Sequence, residues 1–199
     1  MPQKADIYAD VTDKIIDMIE TGTPPWSRPW TAPAVHTAHE RHERLENFVH
    51  QTRAEIHKQG AIASYTPNSD SIRIPALSAF DNREAYYSTL AHELTHWTGA
   101  KHRLARDLSA KSKNESYAVE ELVAELGAAF ILADFGISAQ PRIDHASYIK
   151  NCLKFLKADK RAIFTAALQA SKASAYLLKL TGYDAILYPE TDTGMELAA

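Results

Sequence analysis

The segment His-Glu-Leu-Thr-His at residues 92–96 constrains the fold of this chain more than any other feature of the sequence. Its two histidines are four residues apart, so in a helix they lie on one face and both rings can direct a nitrogen at a single cation. Glu93 lies beside them, where its carboxylate can meet a water molecule bound to that cation. The pattern therefore predicts a helix from Asp81 or Asn82 to Thr98 that presents a metal site.

A catalytic zinc ion takes three protein ligands and keeps one position open for water. With His92 and His96 as two of these ligands, the sequence offers two candidates for the third. His102 completes the longer spacing H-E-x-x-H-x-x-G-x-x-H that is typical of metzincins. Those enzymes also place a methionine beneath the metal, however, and the only methionine after the motif is Met195. The other candidate is Glu121, on the next predicted helix.

Two glutamates lie one turn apart on that helix, which is predicted from Asn114 or Ser116 to Phe135 and is apolar on nearly all sides. Burying a carboxylate without a partner is costly, so we expect one of them to bind the metal and the other to hold a ligand histidine through its ring N–H. The spacing is similar to that of the second helix of gluzincins, in which the first acid is the ligand. We therefore assign Glu121 as the third ligand and Glu125 as the residue that orients a histidine. The alternative is a pair of solvent-exposed glutamates.

The remaining pattern predicts an α+β fold, mainly helical, with a small antiparallel sheet or hairpin. In chain order we expect a helix over residues 5–21, a connector rich in Pro and Trp over 23–33, a polar helix over 37–60, two strands over 61–65 and 71–75, and one or two lysine-rich helices over 144–180. The connector marks the predicted boundary between an N-terminal part, residues 1–33, and a domain with the metal site, residues 34–199. The second strand is expected beside the cleft, where it can pair with an extended substrate backbone.

Composition limits the partners and the compartment. A length of 199 residues suits one compact domain with an arm, and 22 Lys and Arg against 25 Asp and Glu give a net charge of −3. This balance lacks the basic excess of a dedicated duplex-DNA binder, so any contact with nucleic acid must be local. A single cysteine, Cys152, excludes an intramolecular disulfide and a thiolate zinc site. With no signal sequence and no apolar stretch of membrane-spanning length, we expect a cytoplasmic protein without a membrane partner.

Three segments of the sequence resemble a known family: Tyr86-Tyr87-x-Thr89-Leu90-x-His92-Glu93-Leu94-x-His96-Trp97-Thr98-Gly99, Arg103-Leu104-x-Arg106 and Tyr117-Ala118-x-Glu120-Glu121-Leu122-x-Ala124-Glu125. Over about residues 48–178 the chain is similar to the C-terminal zincin-like metallopeptidase domain of the ArdC antirestriction family, which is also found in TraC-type plasmid primases. The resemblance favours Glu121 over His102 as the ligand. Residues 7–30 are similar to the opening of that family's N-terminal single-stranded-DNA-binding domain, most of which is missing here.

The resemblance implies an antirestriction protein, and the motif residues predict its chemistry. One zinc ion per chain lowers the pKa of bound water to about 7, and Glu93 takes the proton as general base and passes it to the leaving amine. The predicted reaction is hydrolysis of a peptide bond in a protein or peptide substrate. The alternative is a non-catalytic protein with a structural metal, which acts by binding single-stranded DNA or a restriction enzyme.

Several further residues are candidates for parts of such sites. His145 and Tyr148 can stabilise the oxyanion, although an ordinary helix start is the simpler interpretation. Trp26 and Trp30, with Arg28 between them, can stack on unpaired bases, and packing of the arm on the body is the alternative. Five histidines predicted on one polar helix can hold a second metal ion, although a solvated face is the simpler interpretation: His36, His39, His42, His50 and His57.

Overall fold

A computed structural model describes residues 6–21, 36–108, 115–139 and 153–188 of the chain. These residues form a mainly helical α+β fold with one small sheet, as the sequence predicts. The helices are α1 (Ile7–Glu20), α2 (Ala38–Gln51), α3 (Arg83–Thr98), α4 (Glu115–Asp134), α5 (described over 153–158), α6 (Ala162–Thr181) and α7 (Tyr183–Leu187). The strands are β1 (Glu55–Lys58), β2 (Ser64–Thr66) and β3 (Ser71–Ile74), and a 3₁₀ turn follows at Leu77–Ala79. None of the described helices has both the length and the apolar character that a membrane crossing requires.

Helix α3 carries the HExxH motif and lies at the centre of the fold. Its first turn is capped by Asn82, whose side-chain oxygen accepts a hydrogen bond from the backbone N–H of Ala85 at 2.7 Å. Its last residue is Thr98, which Gly99 follows, so the predicted bounds are confirmed. Twelve of its 16 residues are buried, because α4, α6 and the sheet pack around it. A helix enclosed in this way holds its polar side chains in fixed positions.

The sheet has the strand order β1–β3–β2. β2 and β3 pair antiparallel, which confirms the predicted hairpin, and β1 pairs parallel with β3. Because β3 is the central strand, both of its edges are occupied, and the expectation that residues 71–75 pair with a substrate backbone is wrong. The outer edges of the sheet belong to β1 and β2, and β2 contacts α3.

The helix predicted over residues 37–60 is too long. Helix α2 ends at Gln51, and Arg53 then adopts a left-handed backbone conformation (φ 55°) through which a helix cannot continue. Strand β1 follows, with Ile56 paired to Ile72 of β3. Since Ile56 also falls at helical spacing from the apolar residues of α2, periodicity alone does not separate the strand from the helix.

Two apolar clusters hold the helices together. The first surrounds α3 and includes the rings of Phe48, Phe135 and Tyr183, whose centroids are 5.0 to 5.6 Å apart. The second joins α1, α4, α5 and α6 through buried residues such as Ile16 and Leu122. Helix α4 belongs to both clusters, so it connects the surroundings of α3 to the N-terminal helix.

Polar contacts also fix α1 on the body of the protein. The hydroxyl of Thr12 donates to the backbone oxygen of Lys160 at 2.7 Å. The side chain of Lys160 pairs with Asp13, and Lys157 pairs with Glu20 at 2.5 Å. Two cations from the predicted lysine-rich helices therefore contact the acidic side of α1.

Candidate metal centre

Three side chains from α3 and α4 converge on one point. The Nε2 atoms of His92 and His96 lie 3.1 Å apart. The Glu121 carboxylate faces both: its Oε2 lies 3.5 Å from Nε2 of His92, and its Oε1 lies 3.5 Å from Nε2 of His96. One ligand atom from each of the three residues falls within 4.8 Å of the others. Two imidazole nitrogens and one carboxylate oxygen form a donor set that suits zinc and related first-row metals. The structure thus brings together the three residues that the sequence predicts as ligands.

Each histidine faces a further carboxylate through its other ring nitrogen. Glu125 Oε1 lies 3.3 Å from Nδ1 of His92, where the sequence predicts an orienting residue. Glu120 Oε1 lies 3.0 Å from Nδ1 of His96. In the neutral form of each ring, a carboxylate at Nδ1 favours the tautomer with the proton on that nitrogen, which leaves the lone pair of Nε2 available to a metal ion. The residues present therefore fit a bound metal ion.

Glu120 is a site residue that the sequence pattern does not reveal. Its carboxylate accepts hydrogen bonds from Nε and Nη2 of Arg106, both at 2.9 Å. The side chain of Arg106 is only 6% exposed and also donates to the backbone oxygen of Thr95 at 2.6 Å and to the hydroxyl of Thr98 at 2.9 Å. Burial opposes ionisation of Glu120, but the bonds with His96 and Arg106 hold the pKa of its carboxyl below the usual range. Two signals point to it in the sequence: Glu120 and Arg106 both occur in the segments that resemble the family, and an arginine removed from water needs an acid as its partner.

The carboxylates around the two histidines favour positive charge at the site. Burial disfavours a charged imidazole, but hydrogen bonds with Glu120 and Glu121 outweigh it and raise the pKa of His96 to about 10. Burial also lowers the pKa of His92, but hydrogen bonds with Glu121 and Glu125 outweigh burial and raise that pKa above its ordinary value. Burial raises the pKa of the Glu121 carboxyl, but the hydrogen bonds with the two histidines outweigh burial and hold that pKa below the usual range. A site that draws positive charge in this way also favours a divalent cation between neutral imidazoles.

A glycine lets α4 approach α3 closely enough to supply these acids. A Cβ atom at Gly127 would lie 2.5 Å from Cγ2 and 2.7 Å from Oγ1 of Thr95, distances too short for nonbonded atoms. Thr95 is buried, and its hydroxyl donates to the backbone oxygen of Ala91 at 2.9 Å. Because Thr95 directly precedes His96 and Gly127 lies two residues after Glu125, this contact sets the helix separation at the site.

Glu93, the predicted general base, lies on the same helical turn as the histidines but not among the three converging ligands. Its carboxylate is buried, and Oε2 accepts a hydrogen bond from the backbone N–H of Tyr65 on β2 at 2.8 Å. The side chain of His92 is 1% exposed, whereas those of His96 and Glu121 are 14% and 12% exposed.

The other candidate ligand, His102, lies at the surface. Its side chain is 63% exposed, and its Nε2 lies 3.3 Å from Oδ2 of Asp70 and 2.6 Å from Nη1 of Arg103. It is not part of the converging group. The spacing typical of metzincins is therefore present in the sequence but does not bring a third histidine to the site.

The histidine-rich region differs from its prediction. Helix α2 carries three of the five histidines, whereas His57 lies on β1 and His36 precedes the helix, so they do not share one helical face. His42 is buried, and its ring stacks on that of Tyr87 with centroids 5.2 Å apart. Within the described ranges, none of the five joins a cluster of three or more ligand residues.

Several predicted residues lie outside the part of the chain that the structure describes. These are the oxyanion candidates His145 and Tyr148, the base-stacking candidates Trp26, Arg28 and Trp30, and the connector with the boundary after it. Their roles stay predictions.

Comparison with known proteins places this site in a family context. Residues 43–169 match the family model described as zincin-like metallopeptidase, and residues 5–56 match the N-terminal domain of anti-restriction factor ArdC. Uncharacterized protein y4eC of Sinorhizobium fredii (strain NBRC 101917 / NGR234) is 43% identical over 138 residues, which are 69% of this chain and 45% of that protein. DNA primase TraC of Escherichia coli is 39% identical over 137 residues, which are 68% of this chain and 9% of the primase. The chain thus spans less than half the length of these curated relatives.

Two crystal structures of the antirestriction ArdC protein from plasmid R388 share the fold. The metal-free structure gives a TM-score of 0.73 at 27% identity, covering 90% of this chain and 99% of that chain. The Mn(II)-bound structure gives a TM-score of 0.71 at 28% identity, covering 89% and 98%. Because the zincin-like model spans more than half of the residues and the ArdC fold is shared, this chain belongs to the ArdC antirestriction family of proteins with a zincin-like metallopeptidase domain.

Proposed function

We propose that this protein is a zinc-dependent peptidase of the gluzincin type that acts in antirestriction. The observation that carries the proposal is the convergence of His92, His96 and Glu121 on one point, with the carboxylate of Glu93 on the same helical turn as the histidines. Within the part of the chain that the structure describes, the site has three candidate protein ligands, which leaves a coordination position for water as in a catalytic zinc site, whereas structural sites close the coordination shell with four protein ligands.

The residues of the site have separate tasks in peptide-bond hydrolysis. A bound zinc ion supplies Lewis acidity, which lowers the pKa of a water molecule at the site to about 7. The three ligands hold the ion, while Glu120 and Glu125 hold the Nδ1–H groups of the histidines and so fix the orientation of both rings. Glu93 accepts the proton of the water molecule and transfers it to the nitrogen of the leaving amine.

Zinc is the proposed metal, although the donor set suits several. The related ArdC protein from R388 has been crystallised with Mn(II). Two imidazoles with one carboxylate are a common ligand set of catalytic zinc, whereas manganese prefers sites built mainly from oxygen. One zinc ion per chain is therefore expected.

A second function is supported by the match of residues 5–56 to the N-terminal ArdC domain. In that case the chain binds single-stranded DNA or a restriction enzyme, and the metal is structural. A protein or peptide substrate, both of these partners and a cytoplasmic location all stay predictions.

Replacing Glu93 by Gln separates the two functions. The substitution keeps the size of the side chain and an acceptor for the Tyr65 N–H but removes the base. We expect the zinc-loaded wild-type chain to cleave unfolded casein, and E93Q to cleave it about 100 to 10,000 times more slowly. Elemental analysis should find one zinc ion per chain in both proteins.

Glu43→Gln provides the matched control, because Glu43 is an exposed glutamate on α2. E43Q should cleave casein at the wild-type rate. Wild-type cleavage by E93Q would refute the general-base role. Antirestriction activity in cells that survives E93Q would favour the second, non-catalytic function.

A further inference from the structure

The position of Glu93 depends on the edge strand β2. The backbone N–H of Tyr65, in the middle of that strand, donates to Oε2 of Glu93 at 2.8 Å. An N–H donor stabilises the ionised carboxylate and fixes the direction in which it points. A displacement of the β2–β3 hairpin would therefore move or release the carboxylate.

The same tyrosine connects β2 to the turn of its hairpin. The Tyr65 hydroxyl donates to Oδ1 of Asp70 at 2.9 Å. Asp70 lies in the turn before β3 with a left-handed backbone conformation (φ 50°). Its carboxylate also accepts two hydrogen bonds from Arg103, one from Nη1 to Oδ2 at 3.0 Å and one from Nη2 to Oδ1. Such a forked pair fixes direction as well as distance.

Arg103 in turn is fixed to helix α3. Its Nε donates to the backbone oxygen of Trp97 at 2.6 Å, and its guanidinium group lies 3.7 Å from the centroid of the Trp97 ring. The side chain is 5% exposed, so these contacts are shielded from water. Trp97 follows Glu93 by four residues, one turn of the same helix. The contacts thus form a closed ring from Glu93 through Tyr65, Asp70 and Arg103 back to α3.

We propose that Arg103 is a positioning residue for Glu93, which clamps the hairpin onto α3 and so holds the Tyr65 N–H against the carboxylate. The inference rests on the proposed role of Glu93 as the general base. A catalytic group must be held to within about 0.5 Å of its productive position, and a short hairpin at a sheet edge does not supply that rigidity alone. Neither Arg103 nor Asp70 is among the converging ligands, so loss of the clamp should spare zinc binding.

Arg103→Met tests the clamp, because methionine keeps an unbranched apolar stem and removes the guanidinium group. Arg73→Met is the matched control, since Arg73 is an exposed arginine on β3. We would measure amide hydrogen exchange by NMR on the full zinc-loaded chain. R103M should exchange the Tyr65 amide about tenfold faster than wild type, the effect of losing one hydrogen bond. The amides that pair β1 with β3 should keep their rates, and R73M should match wild type.

Casein cleavage supplies a second readout. In R103M we expect kcat to fall by about 10- to 100-fold, with KM and zinc content at the wild-type values, because the base is misplaced while the metal remains. If wild type does not cleave casein, the proposed function fails, and the exchange rate of the Tyr65 amide still decides whether Arg103 positions this contact.

Two results would overturn the proposal. One is an unchanged Tyr65 exchange rate in R103M, and the other is equal acceleration at every amide of the three strands, which indicates general loosening. If R103M does not fold, Tyr65→Phe and Asp70→Asn each remove part of the chain of contacts. Faster Tyr65 exchange in these variants supports the clamp, and wild-type rates in both reject it.

Discussion

Helix α4 has two faces of opposite chemistry, and the difference shows what each face does. One face meets α3 and holds Glu120, Glu121 and Glu125 within 3.5 Å of the two histidines. The other packs Leu122 and Leu126 into the apolar cluster shared with α1, α5 and α6. Burial of each large apolar side chain stabilises the fold by about 1.5 to 3 kcal/mol, whereas buried charges cost free energy unless they are paired. Burial of the apolar face therefore offsets the free-energy cost of burying the acids on the other face, where their arrangement suits a metal ion.

The largest contrast between the two faces is expected in metal affinity. Glu121→Ala removes the ligand that we propose α4 contributes, so we expect zinc affinity to fall by more than about 100-fold, beyond the range typical of residues that only orient the ligands. Competition with a chelator measures this affinity. His102→Ala is the control, because His102 is exposed, and it should bind zinc like wild type. Loss of zinc in H102A with retention in E121A would reverse the ligand assignment.

On the apolar face, Leu122→Ala should act on stability alone. Leu122 is fully buried, so we expect a loss of about 2 to 5 kcal/mol in the free energy of unfolding, measured by urea denaturation of the zinc-free chain. Zinc affinity of the folded variant should equal that of wild type, since the side chain belongs to the opposite cluster. A drop in affinity as large as that in E121A would show that the two faces are not separable.

Gly127→Ala should affect both properties, because Gly127 lies where α4 touches α3. The added methyl group meets Thr95, so we expect a loss of about 1 to 3 kcal/mol in stability together with weaker zinc binding. Thr95→Ser in the same chain removes the nearest atom, Cγ2, and should restore part of both losses. Additive losses in the double variant would contradict the role of this contact in helix separation.

Smaller losses of zinc affinity are expected from changes at the two carboxylates that lie beside the Nδ1 atoms of the histidines. Glu125→Gln keeps the size of the side chain but weakens its hold on Nδ1 of His92, so we expect zinc affinity to fall by about 10- to 100-fold. Glu120→Gln should have a similar effect through His96 and should also lower stability, because Arg106 then loses a charged partner. Titration with zinc measures the first effect and urea denaturation the second. Wild-type affinity in both variants would show that ring orientation does not depend on these carboxylates.

The smallest effect concerns a partly exposed ion pair outside both faces of α4. Hydrogen bonds from Arg103, and then from Tyr65, hold the pKa of the Asp70 carboxyl below its ordinary value of 3.8. A lowered pKa in the folded state means that this stabilisation is complete above about pH 3.8 and is lost as the pH falls through the folded value. Asp70→Asn should therefore lower stability by less than about 1 kcal/mol near neutral pH, and the difference from wild type in thermal unfolding should shrink below pH 3.8. A difference that grows as the pH falls would contradict the sign of the shift.

Sequence periodicity was sufficient for the parts of the site that lie on one helical face. The two histidines four residues apart fixed α3, and Glu121 and Glu125 stood out as acids one turn apart in an apolar helix. The periodicity of a single helix is enough to place these residues on shared faces, whereas the choice of Glu121 over His102 as the third ligand also needs the similarity to gluzincins and to the ArdC family. The β2–β3 hairpin was predictable for the same reason, since its turn and strands are local.

Contacts between different helices and strands cannot be predicted from the periodicity of one helix. Glu120 and Glu121 are adjacent and point in directions about 100° apart on an isolated helix, so only the crossing of α3 and α4 shows that both meet histidines. The crossing depends on Gly127, whose significance appears only once Thr95 is known to lie opposite. Likewise, Ile56 fits a helix or a strand by spacing, and its pairing with β3 is a long-range contact.

Anomalous diffraction from crystals of the zinc-loaded chain would show which residues bind the metal ion. We expect a single strong peak about 2.0 to 2.2 Å from Nε2 of His92, Nε2 of His96 and a carboxylate oxygen of Glu121, with a water molecule as a further ligand within reach of Glu93. A zinc ion bound elsewhere, or one at the histidines with Glu121 turned away or with a fourth protein ligand in place of water, would contradict this expectation.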